Sequence, residues 1–173
     1  ELVAAKTTVH TELGAVYVLG DFEVVQRGDR WTIVPAARYG PLRNWQALGA
    51  PFYPWEMKYA KRFKVNGVAG KSYYVKADRW TGSLVEVWVN GRKAGIVFAE
   101  PYTLDVTPFV RKGKNDVELR VVGNMENLIG PHHVAYDGIV DPNRWNVPQL
   151  RKASEYFLTP FGLQEDFALV ECE

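Results

Sequence analysis

The sequence predicts an all-β protein with an antiparallel core, and three observations carry that prediction. Val85, Val87 and Val89 alternate with Leu84, Glu86 and Trp88, a period of two that belongs to a strand with two differently dressed faces. Asn90-Gly91 follows at once, and both residues tolerate the positive φ that a tight hairpin turn requires. A second alternating run, Val117, Leu119 and Val121 against Glu118 and Arg120, returns after the turn signal Lys112-Gly113-Lys114-Asn115.

The remaining elements can be read in order. Residues 1 to 13 give no clear pattern. Ala15 to Leu19 reads as a short strand stopped by Gly20-Asp21 and continued by Phe22 to Gln26. Arg27-Gly28-Asp29 is a turn, and Trp31 to Val34 is the returning strand. Pro35 to Pro54, punctuated by Pro and Gly, is a long connection. Glu56 to Val65 sets Met57, Tyr59, Phe63 and Val65 against Glu56, Lys58, Arg62 and Lys64, which is a long strand with one wet face. Lys71 to Ala77 is its partner. Ala94 to Phe98 and Tyr102 to Val106 lead back into the core. Asn124 to Gln149 has no sustained period and reads as one long excursion, a length that suggests function or packing against something else. Tyr156 to Leu158 and Phe167 to Val170 read as closing strands around Pro160-Phe161-Gly162, with a short helix within Pro148 to Glu155. With no repeat and no linker, residues 1–173 are taken as one domain.

Composition removes several function classes. The net charge is +1, so there is no electrostatic case for nucleic acid or an anionic membrane as partner. No apolar run reaches transmembrane length. The single cysteine, Cys172, excludes an internal disulfide and a cysteine metal cluster. Six Trp and nine Tyr must serve either a core or a binding surface. There is no initiator Met and no signal peptide, so the chain is expected to be a domain excised from a larger protein.

Several stretches resemble one family. VWVNG from Val87 to Gly91, then Pro101-Tyr102, Leu104-Asp105-Val106-Thr107 and GKNDVELRVV from Gly113 to Val122, resemble the galactose-binding-like jelly roll. That β-sandwich occurs as sugar-binding or accessory domains of bacterial glycoside hydrolases, family two enzymes included. The stretch from Asn127 to His133, NLIGPHH, with Gly138, Pro142 and Trp145, is similar to the end of a C-terminal accessory domain of large bacterial glycosidases. Tyr17 to Phe22, Pro51-Phe52-Tyr53, Tyr156 and Gly162-Leu163 extend the likeness over nearly the whole chain. Pro54-Trp55-Glu56-Met57 departs from it, where many relatives carry a small, Gly-containing segment. The resemblance implies a secreted or cell-surface bacterial enzyme as parent, with its catalytic domain as partner.

No catalytic signature is visible. A glycosidase needs two carboxylates about 5–10 Å apart across a sugar, but Glu56, Glu86 and Glu118 sit on the wet faces of strands and read as solvated. Asp105 reads as a turn-tying residue. There is no GxSxG elbow, no GxGxxG and no phosphate loop. His132 and His133 are adjacent, so on extended backbone they point apart, and the only other histidine is His10; a zinc site is not expected. One of the pair is expected to pack under the loop and bond backbone. No cofactor is required, although the resemblance implies a structural calcium, for which Asp137 and Asp141 are the candidate ligands.

Sugars offer C–H faces to aromatic rings and hydroxyls to amides, carboxylates and guanidinium groups. Trp31 and Trp88 lie inside strands and read as packed. Trp45, Trp80 and Trp145 lie in connections beside Arg43-Asn44, Asp78-Arg79 and Asn143-Arg144 and read as partly exposed. The candidate carbohydrate site is therefore Trp45, Trp80, Asn127, His132, His133, Tyr136 and Trp145. The expected function is a non-catalytic carbohydrate-binding module that holds an oligo- or polysaccharide of plant type near an active site it does not contain, acting through effective concentration. The alternatives are a purely structural accessory domain packed on the catalytic domain, and a self-contained glycoside hydrolase.

Overall fold

The structure, a computed structural model, describes residues 16–37, 40, 42–130, 132 and 156–172. Its strands are β1 (Phe22–Arg27), β2 (Arg30–Pro35), β3 (Glu56–Val65), β4 (Ser72–Lys76), β5 (Trp80–Thr81), β6 (Leu84–Val89), β7 (Arg92–Val97) and β8 (Thr103–Asp105). A single 3-10 turn, Thr107–Phe109, precedes β9 (Gly113–Val122). The short helix α1 (Glu126–Ile129) follows, then β10 (Gly162–Leu163) and β11 (Ala168–Cys172). Apart from these two short helical turns, the regular structure among the described residues is antiparallel β, arranged as a β-sandwich.

One sheet has the order β3-β9-β6-β7 and the other β11-β4-β8; β1-β2 and β10-β5 form two smaller ribbons. Val85, Val87 and Val89 on β6 face Val121, Leu119 and Val117 on β9 in register, and all six side chains are fully buried. Period-two alternation makes this possible, since every second residue of both strands turns to the same side. Burying each such side chain contributes about 1.5–3 kcal/mol before conformational entropy is set against it. Tyr73 and Val75 of β4, with Val106, Phe161 and Phe167, complete the core.

The Asn90-Gly91 hairpin forms as its residues require, with φ of 51° and 78°. The Asn90 side chain also donates to Phe109 O and to Asn115 Oδ1, and accepts from the Asp116 N–H. This turn and the one before β9 are therefore tied together. Asp105 ties its turn as expected, accepting from the Thr107 N–H at 2.9 Å. A bulge interrupts the β6–β7 register between Val87 and Trp88.

Two expected strands are absent. Val16 to Leu19 has no ladder partner among the described residues and is exposed. Tyr156 to Leu158 forms no ladder among the described residues; its Phe157 N–H donates to His132 O in a loop. The expected helix in 148–155 lies outside the described residues.

Candidate functional site

Three segments meet at one end of the sandwich: 42–55, 123–132 and 156–163. Trp45 is the hinge of the first. Its N–H donates to Phe161 O, its carbonyl accepts from Ala50 N–H, and its ring packs 5.5 Å from Phe161 and 5.7 Å from Tyr53. The ring is 1% exposed. Tyr59 anchors the same region from β3, donating to Arg43 O at 2.9 Å and accepting from Leu163 N–H at 3.3 Å. Burial pushes its hydroxyl up to about 12, against a smaller opposite pull from the Leu163 N–H.

Asn127 on α1 is the second anchor. Its amide donates to Pro51 O and Thr159 O, both at 2.8 Å, and its Oδ1 accepts from Thr159 N–H at 2.9 Å. One side chain thus joins all three segments. Its exposure is 3%, and every polar atom is spent on backbone. His132 bonds through Nε2 to Asn127 O at 2.8 Å, and its ring lies against Phe52 and Tyr156. Trp31 closes this ring cluster at 5.5 Å from both Phe52 and Tyr156.

These contacts correct two expectations. Trp45 and Asn127 are not surface groups waiting for a sugar: one is core and the other is the buried tie of the end. The sequence showed polar neighbours beside each, but not that the neighbours' backbones would close over them. Trp80 is half-buried, pairs through β5 with Leu163, and packs edge-on against Tyr102 at 5.7 Å. His132 has the packed, backbone-bonded role expected of one of the pair. His133, Tyr136 and Trp145 lie outside the described residues, as do the candidate calcium ligands Asp137 and Asp141. Among the described residues no three His, Cys, Asp or Glu side chains gather as a metal site, and no helix is long and apolar enough to cross a membrane.

Among the described residues, this end presents large apolar side chains outward beside exposed Arg43, Gln46 and Asn124. Trp55 is 61% exposed and Ile129 50%, and Tyr53 and Met125 are exposed beside them in sequence. The two stretches that carry them are joined by the Gly123 N–H to Trp55 O bond and by the Asn127 tie.

A second surface was missed in the sequence. Trp88 is not packed inside the sandwich; it stands half-buried on the outer face of the four-stranded sheet, opposite Glu118 on β9. The signal was available: with Val87 and Val89 turned inward, period two places Trp88 outward with Glu86. Its Nε1 donates to Glu86 Oε2 at 3.0 Å, and the Arg120 guanidinium lies 4.1 Å from its ring centroid. Hydrogen bonds from Lys93 and then Trp88 hold the Glu86 carboxyl below the usual range. The Arg62 hydrogen bond does the same to Asp116.

Comparison with known proteins places these features on a partial match. No protein-family profile matches the chain. A Formosa agariphila protein named provisionally as a beta-glucuronidase is 30% identical over 138 residues, 76% of this chain and 12% of that protein. The structure of a rhamnosidase from Novosphingobium sp. PP1Y is similar over 97% of this chain and 16% of that one, at 27% identity and a TM-score of 0.52. A Bifidobacterium dentium beta-glucuronidase, solved with coumarin-3-O-glucuronide, matches 80% of this chain and 25% of its own at 18% identity and a TM-score of 0.49. The chain is thus similar to a part of glycoside hydrolases and spans a small fraction of their length.

Proposed function

We propose that the chain is a non-catalytic accessory β-sandwich of a glycoside hydrolase, galactose-binding-like in its connectivity, and that the end built from 42–55, 123–132 and 156–163 docks on the catalytic part of the parent. The observation that carries this reading is the inversion at that end: Asn127 and Trp45 are turned inward as supports, while Trp55, Ile129, Met125 and Tyr53 face out. Exposed large apolar groups gathered on neighbouring segments favour a protein partner. Partial coverage of the similar glycoside hydrolases supports a partner on the same polypeptide.

The test uses the chain alone and with the catalytic portion of its parent. The chain alone should not turn over aryl glycosides. Mixed with the catalytic portion it should form a one-to-one complex in sedimentation. Trp55→Ser combined with Ile129→Ser should weaken that complex at least tenfold while melting normally. Turnover by the isolated chain that vanishes on changing one carboxylate, with the fold intact, would show a self-contained hydrolase instead.

A further inference from the structure

The end of the sandwich away from the 42–55, 123–132 and 156–163 segments is basic. β3 starts beside Trp55 and runs to Val65, so its far end lies about 30 Å from the docking end. There Lys64 stands directly opposite Lys114 on β9, and both are exposed. Phe63 and Val65 on one strand and buried Asn115 on the other turn inward, so the two lysines leave together on the outer face. Side chains paired in this way have Cβ atoms about 4.5–5.5 Å apart, and like charges at that spacing are destabilising. Arg111 and Lys112, on the turn before β9, and Arg92, at the start of β7, are exposed at the same end. Asn115 fixes these turns. Its Oδ1 accepts from Asn90 Nδ2 and from the Arg111 N–H, both at 2.9 Å, and its amide donates to Arg111 O at 2.7 Å.

These cations lack counter-ions. Among the described residues, none of Lys64, Arg92, Arg111, Lys112 and Lys114 forms an ion pair. The carboxylates of this end are engaged: Asp116 bonds Arg62 at 2.6 Å, Glu171 pairs with Lys71, and Asp105 accepts from the Thr107 N–H. The net charge of +1 conceals the asymmetry, because it sums acids that lie elsewhere. Beside the cations, the loop after β3 presents Val68, 40% exposed, and the Tyr73 hydroxyl holds that loop by donating to Gly67 O. The make-up of the patch selects the anion. Single-stranded nucleic acid needs rings on which bases stack, but Phe109 is half-buried with the Arg92 guanidinium 5.2 Å from its centroid. Specific protein interfaces favour aromatics and disfavour lysine, yet three of these five cations are lysines. A bilayer needs neither rings nor a shaped groove, only outward cations and a small apolar tip. We propose that this end binds an anionic lipid surface, with Lys64, Lys114, Lys112, Arg111 and Arg92 facing the headgroups and Val68 entering the interface. The like-charged Lys64–Lys114 pair, unfavourable in the free chain, is relieved there. This surface does not depend on the docking end, which lies on other residues.

The experiment measures partition of the chain onto vesicles by sedimentation at low salt. Vesicles of phosphatidylcholine with about one third phosphatidylglycerol should bind it, vesicles of phosphatidylcholine alone should not, and about 0.5 M salt should release it. Lys64→Gln combined with Lys114→Gln should weaken partition about tenfold or more, since each cation near such a surface counts for roughly fivefold. The same double variant should melt no lower than the unaltered chain, because it removes a repulsion and no bond. Lys58→Gln combined with Arg43→Gln makes the same charge change more than a Debye length away and should leave partition within about twofold. No partition onto the anionic vesicles overturns the proposal. So does an equal loss in the two double variants, which would show attraction by overall charge alone. Full competition by inorganic phosphate at the same phosphate concentration, or tighter binding to a single-stranded oligonucleotide than to the vesicles, overturns the assignment to a lipid surface.

Discussion

In the four-stranded sheet, each buried valine is one of a series, and its neighbours on the same face do the same work. In the loop end, each support is a single group with no duplicate. Val85, Val87 and Val89 meet Val121, Leu119 and Val117 in a repeating ladder. Asn127, Tyr59 and Trp45 each join segments that no ladder joins. Redundant apolar burial degrades gradually when one member is changed. A lone buried polar tie fails at once, because the groups it satisfied are left unpaired. The two regions should therefore respond differently to substitution and to pH.

The largest effect is expected at Gly162. Its φ is +96°, and an added Cβ would fall on the Tyr59 hydroxyl and the Trp45 indole, both buried. Gly162→Val combines backbone strain with overpacking against rings that have no room to move, so it should cost about 3 kcal/mol or more. Urea denaturation measures this as a lowered midpoint. An unchanged midpoint would mean that the end is not closed by this strand.

Asn127→Ala comes next. It leaves the Pro51 carbonyl and the Thr159 N–H without their Asn127 partner, while Thr159 O keeps the Phe161 N–H, at a cost of about 1–3 kcal/mol. Where the loss falls separates the two regions. Amide exchange should accelerate at 124–130 and 156–163 while β6 and β9 stay protected. Uniform acceleration would mean that the end and the sheet unfold as one unit.

How legible each region was follows from the same contrast. The sheet was legible because alternation is local: the run from Glu56 to Val65 and the Asn90-Gly91 turn specify themselves. The loop end was not. Asn127 bonds to residues 76 and 32 positions away, and Trp45 to Phe161. No short window contains both partners, so amide and indole in an irregular stretch looked like surface chemistry. Tyr156 to Leu158 reads as a strand because its residues suit one, but the partner it meets is a loop. Trp88 was misplaced for a different reason. Its position within a strand was taken as burial, although the valines beside it had already claimed the inner face.

A smaller effect tests the sheet's own turn. Gly91 has φ of 78°, and a Cβ there would touch nothing within 4 Å. Gly91→Val therefore isolates backbone strain from overpacking and should cost on the order of 1 kcal/mol. The difference between Gly162→Val and Gly91→Val, read from midpoints in the same buffer, measures how tightly the loop end is packed. Equal losses would contradict that packing.

The smallest effects are titrations, and they have opposite signs in the two regions. On the sheet's outer face, Glu86 is held low by Lys93 and Trp88, and Asp116 by Arg62. A carboxylate whose folded value is depressed adds stability above its ordinary value near 4, and loses it as pH falls through the folded value. The melting temperature should therefore hold steady down to about pH 5 and decline below about pH 4. Because Asp116 and Arg62 are largely in solvent and Glu86 is only partly buried, the decline should be modest and should shrink in salt. In the loop end, burial raises the Tyr59 hydroxyl to about 12. A neutral group whose folded value is raised gives full stability below its ordinary value near 10, and that contribution disappears as pH rises toward 12. Lysines also discharge there, so the comparison must be made between variants. Tyr59→Phe loses the bond to Arg43 O and should melt lower at pH 7, but its alkaline decline between pH 10 and 12 should be shallower than that of the unaltered chain. Glu86→Gln should flatten part of the acid limb and leave the alkaline limb alone. If Tyr59→Phe instead changes only the acid limb, the hydroxyl is not buried where the loop end closes over it.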